Sequence, residues 1–432
     1  MYTIGSRRRR SSPRRVLVLL ILIGTGIWLL INQSQVRQQI TPPPTPTATR
    51  TAKSYVVEAK SLQEAGDMPG TIDAYIQAVS LEQDNLDVLL ELTRLLTLRD
   101  RTKEALPYAE RAALIAPKDV KAQAAYAMTL DWHASWLRQR GRELEANDAF
   151  QKAIVTAKAA IDLDPKYADA YAYLAETYAD LNDIPNAIDN AQTAVELDPN
   201  RTDVQRAVGY VRESQGNYTG AVEAYQRAIE LAPKEINLYM VLGQNYRILA
   251  QVRDATNWQR ALETFSKAIE IDPSYGPAYD ELGWTYYTLE DFKKAQDTLE
   301  KAIEVDPTAW SARSHLAATY YTRRNYEDAA ATFKVAIQLM NDAFDADHYC
   351  VTARTRACDR VVVAYATMGV ANCYLAASYK DEAKYYDGAA VPAFRRALTI
   401  RPDDEGVLEN MDLCNYILGK PLLRTPTPRP LK

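Results

Sequence analysis

One short motif recurs along the chain at a fixed spacing. The segments LDPKYAD, LDPNRTD, LAPKEIN, IDPSYGP and VDPTAWS place prolines at Pro165, Pro199, Pro233, Pro273 and Pro307, in steps of 34, 34, 40 and 34. Pro117 and Pro402 close similar segments, and Gln83 and Asn341 fill the same slot without proline. Five residues before each of these nine slots stands an alanine, from Ala78 through Ala228 to Ala397. Twelve residues before them stands Ala, or Thr71 in the first. The first half of most units pairs a large residue with a small one, as in Leu174-Ala175, Val208-Gly209, Leu242-Gly243, Leu282-Gly283 and Leu316-Ala317, and Tyr178, Tyr246, Tyr286 and Tyr320 follow three residues later. A period of this length predicts a repeat architecture and excludes a single compact core.

The physical reading is close helix packing. Two antiparallel helices approach only where side chains are small, and large residues fill the gaps beside each contact. Proline ends the second helix of a unit because it cannot continue the hydrogen-bond ladder. The pattern resembles the tetratricopeptide repeat (TPR) family, whose unit is a 34-residue helix–turn–helix. The resemblance covers about residues 52–420. It implies an all-α fold: an α-solenoid of about nine repeats with a C-terminal capping helix over 405–418. Low proline content in the body, 12 residues among about 370, agrees with sparse tight turns and argues against an all-β fold.

Ahead of the repeats lies a different kind of segment. Residues 1–50 hold eight Arg and no Lys, Asp or Glu, and the remaining 382 residues carry a net charge of −13. So acidic a body repels phosphate backbones, which excludes nucleic acid as its partner. The Arg cluster at 7–10, with Arg14 and Arg15, abuts the apolar run Val16–Ile31, and Trp28 stands near its far end. The expectation is a basic cytoplasmic tail over 1–15 and one transmembrane signal anchor over 16–34, which would place the rest of the chain outside the cytoplasm at a cell membrane. A cleaved signal peptide is the alternative, but Leu29-Leu30-Ile31-Asn32-Gln33-Ser34 offers no small-residue cleavage pattern. Residues 35–51 then form a Pro/Thr-rich linker, whose TPPPTPTATR stretch would span roughly 30 Å in extended form. Residues 421–432 read as a disordered Pro-rich tail.

Three units depart from the period. Fourteen extra residues between Pro117 and Pro165 are expected to lengthen both helices by about two turns around Gly141. The result would be a hairpin protruding from one edge, with Trp132 and Trp136 on its first helix. Six extra residues fall around 251–257. About twenty more fall at 342–359, and about seven near 379–387. Such inserts are expected as loops on one face.

Candidate chemistry is sparse. The 342–359 insert holds Asp345, Asp347, His348, Cys350 and Cys358, without zinc or calcium spacing. A Cys350–Cys358 disulfide and two free thiols both remain open readings, with metal the least favoured. Cys373 and Cys414 read as small core residues. The three His lack the i, i+4 partner of a zinc helix, and no nucleophile elbow or phosphate loop occurs. No catalytic constellation, metal or cofactor is therefore expected, and the solenoid should present a long curved surface without an active-site cavity.

Tyrosine is abundant, 28 against six Phe. The family resemblance implies a concave groove lined by first helices, with groove positions three before, one after and four after the small residue. Here these are Arg206, Tyr210 and Glu213; Met240, Gln244 and Arg247; Asp280, Trp284 and Tyr287; and Ser314, Ala318 and Tyr321. Tyr, Trp, Met and Arg are enriched in interfaces; packing between repeats would use the same aromatics. The Lys/Asn/Arg clamp of chaperone-binding TPRs is absent. The expected function is a membrane-tethered scaffold or adaptor binding a peptide or protein partner. The alternative is a structural subunit of a larger membrane or cell-surface assembly, making its contacts through edges and inserts.

Overall fold

The computed structural model describes residues 13–31, 50–344, 350–351 and 356–423. The rest of the basic tail, Asn32–Ser34, most of the linker, residues 424–432, and Asp345, Asp347 and His348 lie outside the described residues. The chain divides into two units, Met1–Thr51 and Ala52–Lys432.

In the first unit, α1 (Pro13–Ile31) is a 19-residue helix whose described apolar side chains are mostly exposed. Its apolar stretch Val16–Trp28 falls short of membrane-spanning length. Among the described residues, the one stretch long and apolar enough to cross a bilayer is instead Cys358–Tyr379, which is two-thirds buried. That stretch serves as a core helix of the second unit, so packing accounts for its apolar character.

The described residues of the second unit form a run of nine helical hairpins. The first helices are α2 (Ala52–Ala65), α4 (Leu86–Thr97), α6 (Val120–Gln139), α8 (Ala168–Asp180), α10 (Thr202–Ser214), α12 (Ile236–Val252), α14 (Gly276–Thr288), α16 (Trp310–Thr322) and α18 (Arg356–Tyr379). Their partners are α3 (Met68–Leu81), α5 (Thr102–Ile115), α7 (Glu143–Leu163), α9 (Ile184–Leu197), α11 (Tyr218–Leu231), α13 (Asn257–Ile271), α15 (Phe292–Val305), α17 (Tyr326–Phe344) and α19 (Val391–Ile400), the last preceded by a π-helical segment over Ala383–Ala390. The cap, α20 (Glu405–Ile417), packs on α18 and α19.

Local chemistry sets the boundaries. Asp67, Asp183, Asn217 and Asp291 cap second helices by accepting the N–H three residues on, from Gly70, Asn186, Gly220 and Lys294. Five second helices close alike, the N–H of Asp164, Asp198, Ala232, Asp272 and Asp306 returning to the carbonyl of the recurring alanine. Proline follows each, where no further donor is needed. Most first helices end in a left-handed residue, which is Gly at 66, 141 and 216 but Asp100, Asn182, Glu290, Arg324 and Lys380 elsewhere.

The small residues of the first helices are where the pairs touch. A Cβ added to Gly209 would stand 2.6 Å from the Tyr225 ring, at Gly243 2.6 Å from Phe265, at Gly283 2.6 Å from Leu299 and at Gly369 2.7 Å from Phe394. Ala78, Ala112, Ala160, Ala194, Ala228, Ala268, Ala302, Ala336 and Ala397 are all fully buried.

Part of the extra length is helical rather than loop. α12 runs to Val252, about a turn longer than its counterparts, and residues 253–256 form the turn before α13. Gly369 lies nine residues further from its partner Phe394 than Gly283 does from Leu299; α18 runs further past its glycine than α14 does, and the π-helical segment takes up the rest. α6 and α7 are lengthened as the spacing predicts, but their tip is held by neighbours rather than standing free. Leu181 packs on the Ala134, Leu137, Ala146 and Phe150 cluster, and the Arg138 guanidinium donates to the Asp180 carbonyl at 2.6 Å. Cys350 and Cys358 are bonded, with Cα atoms 5.2 Å apart. Cys373 and Cys414, read from sequence as free core thiols, are also bonded and tie α18 to α20. The period marks them as core positions but carries no information about which cysteines face each other.

Candidate functional site

The array curls until its second hairpin meets its middle. Arg94 on α4 donates to Asp203 at 2.8 Å and to Glu235 at 2.7 Å, partners more than a hundred residues away. Arg99 pairs with Asp272 at 2.5 Å and lies over the Tyr275 ring. These contacts leave concave chambers on the inner face of the array. Periodicity predicts which faces of the helices are apolar, but curvature depends on small rotations between units that it does not specify.

A buried charge network divides the inner face. Arg206 on α10 is 3% exposed and holds Glu176 on α8 through two hydrogen bonds of 2.9 and 3.0 Å. It also lies 3.1 Å from Asp203, which joins it to Arg94. Burial works against both guanidinium charges, yet their carboxylate partners raise them above the ordinary arginine value. Burial likewise pushes Asp203 up, and Arg94 and Arg206 outweigh it to leave the carboxyl lowered.

On one side of this network lies a chamber of about 500 Å³. α6 contributes Asp131, Trp132, Ser135, Trp136 and Gln139, and α8 contributes Glu176 and Asp180. Arg206, Tyr210, Met240, Gln244 and Asp280 line it too, so the groove spacing gathers these five in one place. Arg247 sits behind the wall, paired with Glu281, which also accepts from Gln244 at 2.9 Å. Asp280 is bound by His315 at 2.7 Å and by Ser311. Burial pushes the Asp280 carboxyl up, but His315 and Ser311 hold it below the ordinary range. Arg206, Met240 and Asp280 are buried rather than open to a groove. Glu213 turns between hairpins, accepting from Tyr225 and Asn245.

Trp284 and Tyr287 lie outside this chamber, in an aromatic stack. Their rings are 4.6 Å apart, and Trp284 stacks on His315 at 4.2 Å. Tyr321 belongs to a second group, edge-on to Tyr326, which stacks on Tyr374 at 4.2 Å. All are partly exposed.

The residue that sequence reasoning passed over is Asp131. It is 2% exposed, makes no ion pair among the described residues, and leaves Oδ1 without a hydrogen-bond partner. Its signal was present: an aspartate in the middle of the lengthened helix, one position before Trp132. Trp132 and Trp136, assigned to a protruding edge, line the chamber instead. Among the described residues no three metal-ligating side chains come together.

The tetratricopeptide repeat model matches residues 138–202, 175–236 and 281–347. The chain carries tetratricopeptide repeats over these stretches. Repeats of this kind make it a scaffold for protein–protein interaction. Similar solved structures include the pilF protein of Pseudomonas aeruginosa, 17% identical over 56% of this chain and 96% of that one, with a TM-score of 0.42. A thermophilic TPR protein of Thermus thermophilus is 17% identical over 45% of this chain and 98% of its own, with a TM-score of 0.38. YrrB, described as a TPR protein with an unusual peptide-binding site, is 22% identical over 47% of this chain and 95% of its own, with a TM-score of 0.32. No curated protein matches the chain. The first matched stretch begins at the tip of the lengthened third hairpin, so it takes in that hairpin's second helix.

Proposed function

We propose that this TPR protein is a membrane-tethered scaffold whose inner face binds a peptide or protein partner outside the cytoplasm, without catalysis. The observation that carries the binding reading is the partly exposed aromatic stack of Trp284, Tyr287 and His315 beside a chamber of about 500 Å³, since aromatic anchors next to pockets dominate protein interfaces. The exposed apolar helix α1 behind an Arg-rich stretch supports tethering. Two disulfides support an oxidising compartment for the array.

The test is capture of partners by the full-length chain solubilised from membranes. Trp284→Ala with Tyr287→Ala should reduce capture at least several-fold while the helical circular dichroism is unchanged. Undiminished capture would remove the aromatic stack as the binding face. A second reading, a structural subunit of a larger assembly, is favoured by large apolar side chains left exposed on second helices, such as Leu114 on α5 and Leu144 and Val155 on α7. Under that reading, substitution of those three residues would abolish assembly and the aromatic pair would be silent.

A further inference from the structure

We propose that the chamber between α6, α8 and α10 is a binding site for an organic ammonium group, held by Asp131 and Asp180 beside Trp132. The proposal rests on reading the inner face of the array as its binding face, and it names the chemistry of what enters there.

The argument begins with charge. Six carboxylates line the chamber: Asp100, Asp131, Glu176, Asp180, Asp280 and Glu281. Three are paired directly with a cationic or His side chain, namely Glu176 with Arg206, Asp280 with His315 and Glu281 with Arg247. Asp180 accepts from Tyr210 at 2.8 Å and Ser135 at 3.0 Å, with the Arg138 guanidinium 3.8 Å away. Asp131 has no such pairing: Thr177 and the more distant Arg206 are what favour its charge, and Oδ1 is an unused acceptor. A buried carboxylate without an ion-pair partner is costly, and the lost interaction is recovered only when a donor arrives.

The second line of argument is the space and its aromatic lining. The space is real, about 500 Å³, and is enough for an alkyl chain as well as its ammonium head. Trp132, Trp136 and Met240 supply apolar and aromatic walls beside the acids. An aromatic ring next to carboxylates favours a cation over a neutral donor, and the Trp132 ring already has the Arg206 guanidinium 5.4 Å from its centre. Burial, with Asp180 and Glu176 nearby, pushes the Asp131 carboxyl up from its ordinary value, so it is poised to give up a proton as a cation docks. Tyr210 and Ser135 already hold Asp180 in place, so the second carboxylate needs no rearrangement.

A free polyamine and a lysine side chain of a polypeptide present the same group. The experiment separates them by titrating the full-length chain in detergent, at roughly physiological ionic strength, with spermidine and with an acetylated, amidated Gly-Lys-Gly peptide. Calorimetry is run in two buffers of different ionisation enthalpy. The expected result is saturable binding of at least one probe, with proton release. Asp131→Asn should weaken it at least tenfold and remove the release. Asp180→Asn, which keeps the Asp131 carboxyl, should weaken it as well and decides the matter if the first variant fails to fold. Preference for spermidine identifies a free polyamine, and preference for the peptide identifies a basic partner segment. Absence of binding by both probes, or equal binding to the folded variants, overturns the proposal. Partner capture through Trp284 and Tyr287 would survive that failure, since neither residue lines the chamber.

Discussion

Asp131 shows how one residue can be legible in composition and invisible in role. In the sequence it is one of 56 acidic residues, most of which are solvated on helix faces. In the structure it is a buried carboxylate without an ion pair among the described residues. Because its folded value is raised, the folded state binds a proton that the unfolded chain has already released above about pH 4. The Asp131 contribution to stability is therefore full in acid and lost as pH rises through the folded value. Asp131→Asn removes that loss. Its melting temperature should exceed that of the parent at pH 8, and the difference should shrink toward pH 5. Thermal melts across this range check the sign; a gap that widens in acid would contradict it. Arg206 illustrates the opposite case. Its spacing along the first helix predicts an exposed groove residue, whereas two facing carboxylates draw it into the interior.

At the scale of the helix, the recurring small residues do what the sequence pattern implies. Gly209, Gly243, Gly283 and Gly369 each leave room for a ring or a leucine from the partner helix. Gly243→Ala should therefore cost about 1–3 kcal/mol, as overpacking of a filled contact does. Adding Phe265→Leu should recover part of the loss, and urea unfolding of the single and double variants reads the coupling. The caps and alanine closures follow from the same local rules. The form of the inserts does not, because their length fixes how many residues must be placed but not whether neighbours will satisfy their backbone. α12 continues as helix because Leu249 and Ala250 still find burial there. The lengthened α6–α7 tip is held down by Leu181 and Asp180 of the next hairpin, contacts between residues more than thirty positions apart.

Across the whole array, closure depends on a few charged contacts between distant hairpins. Arg99 meets an Asp272 that is 1% exposed, so Arg99→Ala strands a buried carboxylate, at a cost of about 3–5 kcal/mol. Hydrogen exchange on the full chain should then quicken at 272–276, where the second hairpin covers the turn before α14, with little change in α18–α20. Unchanged exchange at that turn would mean that closure rests on apolar contact alone. By itself the amino-acid order determined the unit, its helices, their caps and the residues that touch within each hairpin, because those depend on neighbours a few to about twenty positions apart. Tertiary structure alone decided the curvature, the cysteine pairing of 373 with 414 and the assembly of Asp131, Asp180 and Trp132 around one space. Each of these depends on small angles accumulated over several repeats, and a periodic pattern is blind to their sum.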